Sequence, residues 1–177
     1  MANKWYGNLT NRFEEGHNYN KDKQIHVGDD ITMYWYSDRT CYYVVDVIDQ
    51  KHIIVAPYEV CADHSKELGM GHQEWLYFKT RKEKNDYLKQ FFPDHDYRDD
   101  ELRTEHWMFR NNKWKRAYKY TTEDLDTENM FGQKLRDVYF TPSDIKKLEA
   151  GKDVYKYSKL PGDVSFGVRD YYYDYSF

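Results

Sequence analysis

At 177 residues the chain is long enough for one domain with its own core, and 19 Tyr, 9 Phe and 5 Trp set it apart from disordered chains, which are poor in aromatics. A net charge of −4 with pI near 6.0 excludes both a uniformly basic nucleic-acid binder and a wholly acidic DNA mimic. Two cysteines, Cys41 and Cys61, provide no disulfide framework, and no apolar run approaches the roughly 18–20 residues that span a bilayer.

The mean hydropathy of −1.07 is low for a folded chain. Aromatic residues offset it, because each buried ring removes roughly 150–250 Å² from water. The N-terminus lacks the apolar stretch of a signal peptide, so the expected location is the cytoplasm, with no membrane partner.

The first twenty residues read as a polar lead-in marked by Trp5. Gln24 to Val27 begins a cluster of strands and ends at the turn Gly28-Asp29-Asp30. Ile31 to Tyr36 is β-branched and aromatic, and Thr40 to Ile48 alternates, with Tyr43, Val45 and Val47 on one face and Tyr42, Val44 and Asp46 on the other. Asp49-Gln50-Lys51 turns the chain into the hairpin partner His52 to Val55.

Residues 61–75 read as an irregular loop, followed by a strand at Trp75 to Phe78. Thr80 to Phe92 reads as a helix with Thr80 as cap and Pro93 as stop. Glu105 to Phe109 and Lys113 to Tyr120 form a hairpin around Asn111-Asn112. Thr141-Pro142 opens a second short helix that stops at Gly151, while Val154 to Leu160 and Val164 to Phe177 read as terminal strands.

The expected class is therefore α+β and mainly β, either an SH3-like small barrel or a twisted antiparallel sheet with two short helices. It forms one domain over residues 1–177. Residues 20–79 are its β core, 80–150 a mixed insertion carrying both helices, and 151–177 terminal strands returning to the core.

Cys61, Asp63, His64, His72 and Glu74 have the chemistry of zinc ligands, yet their spacing matches no standard zinc site, so no metal and no cofactor are expected. No nucleophile elbow, phosphate loop or dinucleotide fingerprint occurs, and no catalytic residue is assigned.

Charge is segregated instead. Asp94, Asp96, Asp99, Asp100 and Glu101 surround Tyr97 in an acidic stretch that continues to Glu105, a candidate contact for a basic groove on a protein. Lys113, Lys115, Arg116 and Lys119 alternate with Trp114 and Tyr118, the combination of cations and stacking rings that holds single strands of DNA or RNA.

The last eleven residues, Gly167-Val168-Arg169-Asp170-Tyr171-Tyr172-Tyr173-Asp174-Tyr175-Ser176-Phe177, follow the pattern Gly-x-Arg-x-x-Tyr-x-Asp-aromatic-Ser-Phe. That ending resembles the terminus of a group of small phage and prophage proteins of Firmicutes. Tyr36-Ser37-Asp38-Arg39 followed by Tyr43 to Val47 resembles the group's first hairpin, and Gln73-Glu74-Trp75 its middle strand. The chain departs from the group at Asp29-Asp30-Ile31, where a Gly-Ala-Thr turn is common, and in carrying the segment 80–150.

In size and aromatic content some members resemble type II-A anti-CRISPR proteins. The resemblance implies a non-catalytic anti-defence protein that binds a host nuclease such as Cas9 or its guide complex. A nucleic-acid-binding phage protein and a nucleotide-signal-binding or -degrading protein, using Arg169 or the His64/His72 loop, are the alternatives.

Overall fold

A computed structural model describes residues 24–35, 38–69 and 71–173. The polar lead-in and the final residues Asp174 to Phe177 lie outside the described residues.

Nine strands are present among the described residues: β1 (Asp30–Trp35), β2 (Asp38–Asp49), β3 (His52–Pro57), β4 (Glu59–Ala62), β5 (Trp75–Phe78), β6 (Glu105–Arg110), β7 (Lys113–Tyr120), β8 (Val154–Lys159) and β9 (Asp163–Phe166). Seven of them form one antiparallel sheet in the order β8-β7-β6-β3-β2-β1-β9, and β4 pairs with β5 in a separate hairpin.

The two edge strands of the large sheet, β8 and β9, are joined by Leu160-Pro161-Gly162 alone. Those few residues reach at most about 15 Å, whereas a flat seven-stranded sheet separates its edges by about 29 Å. The sheet must curl, and Trp114 on β7 meets Phe166 on β9 across the concavity, ring centroids 5.4 Å apart. It does not close into a barrel, so the twisted antiparallel sheet is the realised alternative.

The concave face holds the main core: Ile31 and Met33, Tyr42 and Val44, Ile53 and Val55, Trp107 and Phe166. Strict alternation in β2 fails after Val44. Irregular register between Val44 and Asp46 brings Val47 onto the Tyr42/Val44 face and separates it from Tyr43 and Val45. Cys41, Tyr43, Ala56 and Tyr58 face the other way and are covered by Val60, Tyr77 and Tyr171. Burial raises the Cys41 thiol to about 12, as befits a packing residue.

Three short helices complete the fold among the described residues: α1 (Arg81–Leu88), α2 (Leu135–Val138) and α3 (Pro142–Glu149), with a 3-10 turn at Thr122–Asp126. Thr80 caps α1 by accepting from the Glu83 N–H, while the Glu83 carboxylate accepts from the Thr80 N–H. Thr141 and Asp144 do the same for α3, which packs Leu148 against Leu125, Phe140 and Val154.

The Lys156 ammonium and Thr141 hold the Asp144 carboxyl down to about 2. Its contribution to stability is therefore present above the ordinary carboxylate range and is lost as pH falls toward 2. Comparison of thermal midpoints at pH 5 and pH 2.5 should show a smaller acid loss in Asp144→Asn than in the parent chain.

Gln24 to Val27 is not a strand. Ile25 instead exchanges hydrogen bonds with the Gln50 side chain, and Gly28 turns at φ +91° into β1. The terminal strand expected over Val164 to Phe177 is realised as β9 up to Phe166, and residues 167–173 leave it. After β9, Gly167 adopts φ +76°, and the chain crosses the outer side of β1 and β2 beneath the β4–β5 hairpin. Thr32 Oγ1 donates to the Val168 carbonyl and accepts from the Asp170 N–H, Arg39 pairs with Asp170, and the Arg169 guanidinium lies 5.3 and 4.9 Å from the Tyr58 and Tyr77 ring centres.

Candidate nucleic-acid interface

Residues directly opposite in a ladder share a face, and neighbours along a strand alternate. The register pairs His106 with Ala117, Met108 with Lys115 and Arg110 with Lys113. It continues by pairing Ala117 with Tyr157, Lys115 with Lys159 and Lys119 with Tyr155. The convex side of β6-β7-β8 therefore carries Arg110, Lys113, Lys115, Lys119 and Lys159 together with Tyr155 and Tyr157.

Arg110, Lys113, Lys119 and Lys159 are exposed, and Lys115 and both tyrosines are half-buried. The Arg110 guanidinium lies 4.6 Å from the Tyr157 ring centre. Lys119 pairs with Asp153 at 3.0 Å, but no carboxylate pairs with Lys113, Lys115 or Lys159 among the described residues. Asn111 and Asn112, both at positive φ, make the tight turn that sets β6 and β7 in this register.

At the β3 margin of this face His52 Nε2 and His106 Nδ1 share a 3.0 Å hydrogen bond, and the Tyr155 ring meets His52 edge-on at 5.5 Å. Burial lowers the pKa of both rings. Asp49 opposes the shift at His52, while His52 and Lys119 add to it at His106. A depressed histidine pKa makes stability complete above the unfolded-state value of about 6.5 and lost as pH falls through the folded value. The urea midpoint should accordingly drop between pH 7.5 and 5, and His106→Gln should flatten that dependence.

The concave side of the same strands ends in a polar cluster. Arg116 grips Glu105 through Nε and Nη2, both at 2.8 Å, and Glu105 also accepts from Trp107 Nε1. Burial works against the Arg116 charge, but Glu105 holds it protonated; hydrogen bonds from Ser158 and Arg116 lower the Tyr118 hydroxyl. A cavity of about 330 Å³ opens beside this cluster, lined by Thr104 to His106 and Arg116 to Tyr120.

The basic residues singled out in the sequence thus divide between two faces. Lys113, Lys115 and Lys119 reach the open convex face. Trp114 packs inward on Phe109 and Phe166, and Arg116 and Tyr118 belong to the concave cluster. Arg110, Tyr155, Tyr157 and Lys159 were missed. The alternation in Val154–Lys159 marks Tyr155, Tyr157 and Lys159 as one face, but only the β7–β8 pairing puts that face beside the lysines.

The acidic stretch is likewise divided. Asn85, itself buried, donates to the Arg98 carbonyl and to Asp99, and Arg81 links Asp100 to Glu59. Burial opposes the Glu59 charge, yet Arg81 and Lys84 hold its carboxyl below the usual range. The Tyr97 hydroxyl donates to the Phe92 carbonyl. Asp94, Asp96 and Glu101 are exposed and have no ion pair among the described residues.

Asp63 and Glu74 pair with Lys66, His64 packs on Phe91 and Phe92, and His72 on Trp75. Among the described residues no three His, Cys, Asp or Glu side chains converge as metal ligands, and no helix is long and apolar enough to cross a membrane. Compared with known protein families, curated proteins and solved structures, the chain finds no match.

Proposed function

We propose that the chain is a non-catalytic binding protein whose convex β6-β7-β8 face takes a single-stranded nucleic acid. The observation that carries this reading is the register of Arg110, Lys113, Lys115, Lys119 and Lys159 with Tyr155 and Tyr157 on one open sheet face. Cations neutralise phosphates without regard to sequence, and aromatic rings stack on bases that are free of a partner strand. Unpaired bases favour this arrangement over a duplex, whose bases are already stacked.

Fluorescence anisotropy with a labelled oligothymidine tests it. Neutralising about four phosphates gives a salt slope near −2.8, or roughly a 50-fold loss of affinity between 50 and 200 mM salt. An affinity that is flat over that range, or equal for a duplex of the same length, would sink the proposal.

A second reading, an anti-defence protein acting on a host nuclease such as Cas9 in the cytoplasm of an infected or lysogenic bacterium, rests on the phage-like terminus and on the acidic loop. Asn85 and Arg81 pin the loop while Asp94, Asp96 and Glu101 point no charge inward, and Phe91, Phe92 and Leu102 are exposed beside them. A pinned acidic surface with apolar neighbours suits a basic protein groove. In a cleavage assay with purified Cas9 and guide, the parent chain should inhibit and the variant carrying Asp94→Lys, Asp96→Lys and Glu101→Lys should not. Equal inhibition by both removes the loop from the contact.

A further inference from the structure

The five residues Asn129 to Gln133 form a tight loop closed by the bridge between Glu128 and Lys134. Its hydrogen bonds all turn on Asn129. The Asn129 N–H donates to the Gln133 carbonyl at 2.9 Å, and the Gly132 N–H donates back to the Asn129 carbonyl at 3.0 Å. The side-chain oxygen of Asn129 accepts from the N–H groups of Phe131 and Gln133, and its amide donates to Gln133 Oε1. Gly132 supplies the left-handed conformation, φ +71°, that the turn requires.

This framework holds Met130 and Phe131 at the tip, 90% and 78% exposed. They are the two most exposed large apolar side chains among the described residues, and they are adjacent. A loop stabilised by its own polar groups has no need of two apolar residues facing water. A preorganised aromatic and a thioether are instead what an interface anchor consists of, because little entropy remains to be lost on docking.

The surrounding charge identifies the kind of partner. From Thr122 to Tyr139 there are the acids Glu123, Asp124, Asp126, Glu128 and Asp137 against the bases Lys134 and Arg136, a net charge of −3. Lys134 is paired with Asp126 and Arg136 with Glu149, and Glu123, Glu128 and Asp137 stand exposed. An acidic collar repels anionic membrane surfaces. It equally disfavours a two-fold contact with a second copy, which would bring the same collar against itself.

We infer that the Met130–Phe131 tip is a docking anchor for a protein that presents an apolar pocket rimmed by lysine or arginine. The site is separate from the convex face and rests on none of its residues.

The test uses the full chain with p-benzoylphenylalanine in place of Phe131, irradiated in a lysate of its natural host cells. The expected result is a discrete protein adduct that maps by mass spectrometry to an apolar pocket flanked by basic residues. Met130→Ser should reduce it to background, and the same photolabel at exposed Lys147 should not produce it. An adduct to lipid, to a second copy or to a surface without such a pocket overturns the inference, as does the absence of any adduct. A paired stability measurement separates docking from folding. The Met130→Ser, Phe131→Ser variant should keep or raise the thermal midpoint, and a lowered midpoint would make the tip part of the fold.

Discussion

Replacing Lys113, Lys115 and Lys159 together by Ala lowers affinity for a single-stranded oligonucleotide on the order of 10²-fold at 50 mM salt and takes about 2 off the salt slope. The three side chains share the convex face and lack ion pairs among the described residues, so their removal strands no buried carboxylate. The fold should survive, because none of the three belongs to a core cluster. Arg116→Ala makes the contrast. Its guanidinium is committed to Glu105 on the opposite side of the sheet, so its loss should cost stability more than affinity. Anisotropy and urea unfolding on the same two variants separate the effects; a triple variant that binds like the parent removes the convex face from the account.

Trp107→Ala destabilises the protein by about 3–5 kcal/mol, the range for large-to-small core substitutions. Trp107 is fully buried, its register neighbours are Ile53 and Arg116, and its ring lies 4.9 Å from that of Tyr42. Its indole N–H also donates to Glu105 at 2.8 Å, so truncation opens a cavity and removes a donor from the Arg116–Glu105 pair. Set against a total stability of about 5–15 kcal/mol, such a loss leaves a weaker member of that range largely unfolded. Trp107→Phe keeps most of the ring and should cost distinctly less. Urea unfolding followed by circular dichroism measures both, and a loss below about 1 kcal/mol for the alanine variant would place the centre of the core elsewhere.

Local signals carried much of the fold. Thr80 and Thr141 cap the helices whose starts they mark, and Asn111-Asn112 turns the hairpin it was expected to turn. The strands at Ile31, Thr40 and His52 lie where alternation and β-branching put them. These features depend on neighbours within a few residues, which periodicity and turn chemistry report directly.

Strand order is a different kind of property. That β8 and β9, three residues apart, occupy opposite edges of a curled sheet depends on which ladders form among distant segments. The C-terminal tyrosines alternate in sequence as a strand would, yet after Gly167 the described residues up to Tyr173 cross the outer side of β1 and β2, where Tyr171 meets Trp75 and Tyr172 meets Arg39. Charge sharing was equally hidden. Asp99 and Asp100 read as part of an acidic surface, but Asn85 and Arg81, well upstream, use them to pin the loop. Three of the seven residues of the candidate interface were legible as the lysines of β7. The other four, Arg110, Tyr155, Tyr157 and Lys159, became visible only through the β6-β7-β8 register.

Irradiating the full chain with an oligonucleotide of 5-bromodeoxyuridine and mapping the cross-linked residues by mass spectrometry probes the convex-face contact itself. Binding on the convex face should give adducts at Tyr155 or Tyr157 that disappear with the Lys113, Lys115, Lys159 triple variant. Adducts confined to other tyrosines, such as Tyr97 or Tyr173, would contradict it.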